Sequence, residues 1–124
     1  MNSRQVATTT TGDRAETIAC QHLEVSGLIT LTRKYRGRFG EIDLIMRDGG
    51  IIAFVEVRYR RNNRILNAAE TIDARKCQRI TKTALQYLQS LKNPDNYCYR
   101  FDVVTVTGNL DKPTIDWIRD AFQA

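Results

Sequence analysis

Residues 41–59, read as EIDLIMR, then DGG, then IIAFVEVRY, decide how the rest of the chain is interpreted. Two runs rich in branched residues, separated by Asp48-Gly49-Gly50, predict a β-hairpin. Strand side chains alternate between faces, so a Gly49-Gly50 turn sets Asp48 opposite Ile51, Met46 opposite Ala53, Leu44 opposite Val55 and Ile42 opposite Val57. The same register sets Ile45 against Phe54, Asp43 against Glu56 and Glu41 against Arg58 on the second face. An Asp48-Gly49 turn shifts the partners by two residues and keeps both faces. The first face is thus wholly apolar, and the second is charged at the end remote from the turn. A carboxylate facing a carboxylate is destabilising, the more so when buried, so Asp43 and Glu56 call for a positive charge between them. Mg²⁺ meets that need, because it binds through one or two carboxylates and orients phosphate oxygens. A protein-only alternative pairs Glu41 with Arg58 and leaves Asp43 and Glu56 in solvent or held by neighbouring arginines.

Upstream, Asp13-x-x-Glu16 has the form of a capping box, and Ala15, Ile18, Ala19, His22 and Leu23 recur at helical spacing as far as Gly27. This predicts a helix over 13–26, followed by a strand over 28–35 and a basic turn at Arg36-Gly37-Arg38. Downstream, 60–67 reads as a polar loop, and Ile72, Ile80, Ala84, Leu85, Leu88 and Leu91 predict a long helix over 69–91 that stops before Pro94. Its first half carries Arg75, Lys76, Arg79 and Lys82. Residues 99–107 alternate as a strand, and Thr114 to Ile118 are placed as a second strand returning after Gly108-Asn109. The order αβββαβ predicts an α/β layer structure with a mixed sheet.

Several segments together resemble a known family. Gly12-Asp13-Arg14-Ala15-Glu16, Tyr35-Arg36, Gly40-Glu41-Ile42-Asp43-Leu44-Ile45, Phe54-Val55-Glu56-Val57-Arg58, Lys76 and Arg100-Phe101-Asp102-Val103-Val104 follow in order the pattern of the YraN-type uncharacterised family. That family is similar to Holliday-junction resolvases within the PD-(D/E)xK nuclease superfamily. The resemblance implies a restriction-endonuclease-like αβββαβ core, with a central mixed sheet flanked by helices, and a metal-dependent endonuclease acting on DNA, branched or junction DNA included. By the motif, Asp43 and Glu56 are the metal carboxylates and the backbone carbonyl of Val57 is a further ligand, for Mg²⁺ or Mn²⁺. Glu16 matches the position from which resolvase-like members bring another acidic group, although a capping box also explains it. Glu41 is expected as a salt-bridge partner beside the ligands. Arg58 stands where the superfamily places lysine; it can stabilise a phosphorane-like transition state but cannot act as a base. Lys76 and Lys34 are the candidates to replace that lysine. The alternative reading is a catalytically impaired nucleic-acid-binding module on the same fold. A third is an adaptor whose basic face meets an acidic protein.

The 124 residues, 42% hydrophobic and 27% charged, exclude disordered, collagenous and repeat architectures and fit one domain over 12–124 behind a frayed tail over 1–11. The tail has no apolar core of the kind a secretory signal needs, and the longest apolar run, Ile51 to Val55, cannot span a bilayer; a cytoplasmic protein is expected. Cys20, Cys77 and Cys98 form no CxxC pair, which argues for a reducing compartment, and His22 alone beside them does not make a zinc site. The net charge of +5 is not evenly spread. Arg33, Lys34, Arg36 and Arg38 precede the hairpin, Arg60, Arg61 and Arg64 follow it, and Lys76 opens the long helix. These are the expected nucleic-acid contacts, with Tyr35 and Tyr59 available for stacking. Backbone recognition of this kind carries no base specificity. A homodimer is expected by analogy with resolvases. His22, Trp117, Phe122, Asp102 and Cys77 are read as structural.

Overall fold

Helix α1, Thr11–Val25, begins two residues earlier than the sequence pattern suggested. Its N-cap is Thr10, whose hydroxyl accepts from the Asp13 backbone N–H at 3.0 Å while the Asp13 carboxylate accepts from the Thr10 N–H at 3.4 Å. The capping box is therefore Thr10-x-x-Asp13 and not Asp13-x-x-Glu16, which frees Glu16 for other partners. The structure, a computed structural model, describes residues 10–61 and 73–123. The other elements are strands β1 Ile29–Arg36, β2 Glu41–Asp48 and β3 Ile51–Arg60, helix α2 Ala74–Gln89, a 3-10 turn Pro94–Asn96, and strands β4 Cys98–Thr107 and β5 Thr114–Phe122. Ile72, expected in the long helix, and Arg64 lie outside the described residues. No helix among the described residues is long and apolar enough to cross a membrane.

The five strands lie in sequence order, with β3 and β4 parallel and every other pair antiparallel. A parallel pair needs a crossover, and α2 lies in it. The small side chains Ala15 and Ala19, with Cys20 and Leu23, seat α1 on Leu44, Met46, Ala53, Val55, Val104 and Val106. Ile80, Ala84 and Leu88, spaced by four, seat α2 on the other face against Ile42, Ile45, Ile52, Phe54 and Phe101. Leu85, expected in that stripe, is exposed instead. The fold is the expected α/β architecture, with β5 running four residues beyond the expected end to Phe122.

The hairpin register is as read from Leu44–Val55 to Asp48–Ile51, and there the ladder stops. Asp43 Oδ2 accepts from the Val57 N–H at 2.8 Å, so a side chain replaces the backbone acceptor and the strands part. Opposite it on β1, Lys34 adopts a left-handed backbone, φ 52°. The alternation breaks at this point. Ile42, expected on the face of Leu44 and Met46, packs in the α2 layer. At the far edge, the buried Asp102 receives Arg100 Nε at 2.9 Å, Trp117 Nε1 at 3.0 Å and the Asp120 backbone N–H at 2.9 Å, anchoring the bulge of β5. Asp102 and Trp117 thus take the structural roles expected of them.

Candidate active site

β2 and β3 bring Asp43 and Glu56 to the splayed end of the hairpin. On β3, Ala53 and Val55 face α1 whereas Ile52 and Phe54 face α2, and Glu56 continues the α2 series. Lys76, in the first turn of α2, forms an ion pair with the nine-tenths buried Glu56. Arg58 Nη1 lies 3.8 Å from the same carboxylate, with a side chain 36% exposed. Asp43 borders the opposite layer, in a cleft of about 300 Å³ that it shares with Glu16, Lys34, Glu41, Val57 and Tyr59. The two carboxylates meet. Burial, and next the negative charge of Glu56 beside it, push the Asp43 carboxyl up to about 7, and a hydrogen bond with Glu56 acts in the same direction. The Val57 N–H and the charge of Lys76 oppose the rise without cancelling it.

The other acidic residues of the Asp43 cleft, Asp13, Glu16 and Glu41, are held in ion pairs. Glu16 is buried, and its Oε1 receives Arg33 Nε at 3.3 Å and Nη2 at 3.2 Å, while its Oε2 faces Lys34 Nζ at 3.3 Å. Lys34 also reaches Asp13 Oδ1 at 2.6 Å. That hydrogen bond raises the lysine above its ordinary value and holds the Asp13 carboxyl below the usual range. Glu41 pairs with Arg36 at 3.1 Å and not with Arg58, which corrects the protein-only pairing; the cause is the end of the β2–β3 ladder at Leu44.

The basic cluster at 33–38 therefore divides. Arg33 and Lys34 turn toward α1, Arg36 toward Glu41, and Arg38 lies 5.7 Å over the Phe39 ring. Arg60 and Arg61 are exposed at the end of β3. Of the two lysines considered as replacements for the motif lysine, Lys76 contacts Glu56 and Lys34 lines the Asp43 cleft. Neither the Asp43–Val57 bond nor the left-handed Lys34 was read from the sequence, since both depend on the local opening of the sheet. Thr10-x-x-Asp13 has the capping-box form in the sequence, as does Asp13-x-x-Glu16 three residues later, and the structure uses the first.

Among the described residues, no group of three or more His, Cys, Asp and Glu converges in a way that would hold a metal ion. The donor set at the splayed end is smaller: two carboxylates and, because N–H and C=O of one strand residue face the same edge, the Val57 carbonyl beside Asp43. These are hard oxygen donors, and burial, with the Glu56 charge second, holds the Asp43 carboxyl above its ordinary value. Mg²⁺, which keeps several waters and needs few protein ligands, fits such a set.

A five-stranded mixed sheet in the chain order αβββαββ, with a helix on each face, contains an αβββαβ core compatible with the restriction-endonuclease-like class of α/β folds. Within that class it belongs to the Uncharacterised protein family UPF0102, the YraN-type family, whose model matches residues 15–106. It is 43% identical over 113 residues to a UPF0102 protein of Stutzerimonas stutzeri, covering 91% of this chain and 94% of that one. Over 115 residues it is 45% identical to one of Pseudomonas aeruginosa, covering 91% and 92%. A relative from Coxiella burnetii is 40% identical over 112 residues, covering 90% and 91%.

Proposed function

We propose that the chain is a metal-dependent endonuclease that hydrolyses phosphodiester bonds in DNA, branched or junction DNA included. The observation that carries this reading is the Asp43–Glu56 pair. It is a like-charge contact between the buried Glu56 and the half-buried Asp43, an arrangement costly to keep without a functional demand, and Lys76 is directed onto it from the crossover helix. Asp43, Glu56 and the Val57 carbonyl would hold Mg²⁺ or Mn²⁺, which when bound supplies positive charge to the phosphoryl oxygens. Arg58, beside Glu56 and partly open to solvent, would donate its planar fork to the non-bridging oxygens as charge develops. Lys76 fixes the Glu56 carboxylate and puts an ammonium group where Arg58 cannot supply a titratable one. The runner-up, a binding module without turnover, rests on Arg58 standing in the place of the motif lysine.

The deciding experiment incubates the protein with supercoiled plasmid and with a four-way junction in Mg²⁺ or Mn²⁺, alongside Asp43→Ala, Lys76→Ala and Arg58→Lys. Cleavage that Asp43→Ala abolishes and Lys76→Ala lowers about 100-fold, on the scale of losing one preorganised charge, supports the endonuclease. Junction binding with no cleavage in any variant, Arg58→Lys included, would establish the module instead. A separate readout needs no turnover: Mg²⁺ should raise the thermal midpoint of the wild type and leave that of Asp43→Ala unchanged.

A further inference from the structure

A second cleft, of about 490 Å³, adjoins the first and belongs to none of the residues assigned above as ligands. Thr11 and Arg14 line it from the first turn of α1, Tyr59 and Arg61 from the end of β3, and Asn109 and Leu110 from the β4–β5 turn. None of these lining residues is acidic. Tyr59 borders both clefts, and so does the first turn of α1, with Gly12, Asp13, Ala15 and Glu16 on the Asp43 side and Thr11 and Arg14 on the other. The two depressions are thus neighbours across one tyrosine. Tyr59 is held there by its hydroxyl, which donates to the Gly108 carbonyl at 3.3 Å.

Two guanidinium groups from distant parts of the chain, in a lining that also includes Asn109, make a surface suited to a phosphodiester. Arg14 has a partner, Asp111, at 3.4 Å, but the two side chains are 52% and 83% exposed. Such a solvent-open pair contributes little, so an incoming phosphate displaces it at little cost. The volume lies within the roughly 300–1,000 Å³ range of small-ligand clefts, and one nucleotide is of that size.

We infer that this cleft is a subsite for the nucleotide flanking the bond to be cut, with Arg14 and Arg61 gripping its phosphate and Tyr59 as the divider between the two positions. This rests on the nuclease reading for its orientation but not for its binding chemistry. The same contacts suit a phosphodiester in DNA, in RNA or a free nucleotide, so all three are probes.

The test measures equilibrium binding by fluorescence anisotropy, without divalent metal, for a labelled DNA oligonucleotide, its RNA counterpart and a labelled mononucleotide. It compares Arg14→Ala, Arg61→Ala and Asp111→Asn with the wild type over a range of salt concentrations. Each arginine substitution should weaken oligonucleotide binding about tenfold, the scale of one charge-assisted hydrogen bond, and reduce the salt slope by about 1. Asp111→Asn, which removes only the competing carboxylate, should tighten it. Mononucleotide binding that follows the same pattern would assign the cleft to free nucleotides and overturn the strand subsite. Binding and salt slope unchanged in all three variants would overturn it as well, as would no wild-type binding to either oligonucleotide. The two proposals fail separately: a wild type that binds in an Arg14-dependent way but cleaves neither plasmid nor junction in Mg²⁺ or Mn²⁺ would leave the subsite standing and remove the nuclease.

Discussion

At the scale of single residues, Asp43 carries a cost that the fold tolerates. Its carboxyl stands at about 7 in the folded chain against 3.8 for an ordinary aspartate, so between those values the folded protein binds a proton that the unfolded chain does not. Stability must therefore fall as pH rises through that window, by up to roughly 1.4 kcal/mol per pH unit for one proton. Asp43→Asn removes the titration and keeps an oxygen that can accept from Val57. The expected outcome is a variant more stable than wild type at pH 8 and close to it at pH 4, measured as urea midpoints across that range. Equal pH dependence in both proteins would show that Asp43 does not carry the charge imbalance. Glu16 offers the opposite lesson. Its carboxylate is buried yet matched on both oxygens by Arg33 and Lys34, which makes it a brace between α1 and β1.

At the scale of elements, the turn between β1 and β2 is held to α2 by close approach. A methyl group on Gly37 would lie 2.4 Å from Gln86 Oε1, the atom that accepts from the Arg38 N–H at 2.8 Å. Gly40 closes the turn at φ 153° and accepts the Gly37 N–H at 2.8 Å. Gly40→Ala forces a side chain into that conformation and should cost about 1–3 kcal/mol. Gly37→Ala should cost about 1 kcal/mol through the displaced glutamine. Thermal melts of the two variants would order them; a Gly40→Ala protein as stable as wild type would mean that the turn relaxes freely. Elements with regular periods were legible in the sequence. The hairpin, α1 and β4 lie within two residues of their expected bounds because their apolar spacing matches the layer each one covers, whereas α2 starts at Ala74 behind its Asp73 cap and not at 69. What escaped was local exchange of partners: the capping box at Thr10, the carboxylate that ends a ladder, the change of face at Ile42, and the bulge that carries β5 to Phe122 around Asp102. A period of two or of 3.6 contains no information about a side chain that takes a backbone donor.

At the scale of the whole molecule, the charge of +5 resolves into separate assignments. Arg33, Lys34, Arg36 and Arg100 are consumed by internal carboxylates, while Arg58 and Lys76 gather at Glu56 and Arg14 and Arg61 line the second cleft. The sequence located the acidic pair and its basic surroundings. It did not separate the cations that neutralise the scaffold from those left facing the clefts, because that division is made by α1 and α2 approaching from opposite faces.

The parallel pairing of β3 with β4 also predicts an order of assembly. Asp43 and Glu56 are joined by a hairpin of short sequence separation, whereas Lys76 reaches them only when the crossover closes β4 onto β3. Local contacts form ahead of distant ones, so the chain must bring two like charges together before their ammonium partner arrives. Refolding after a denaturant jump should accordingly be faster at pH 5 than at pH 8, and Asp43→Asn should erase the difference. The chemistry of the carboxylate pair would then set not only what the folded protein does but how quickly each new chain becomes folded.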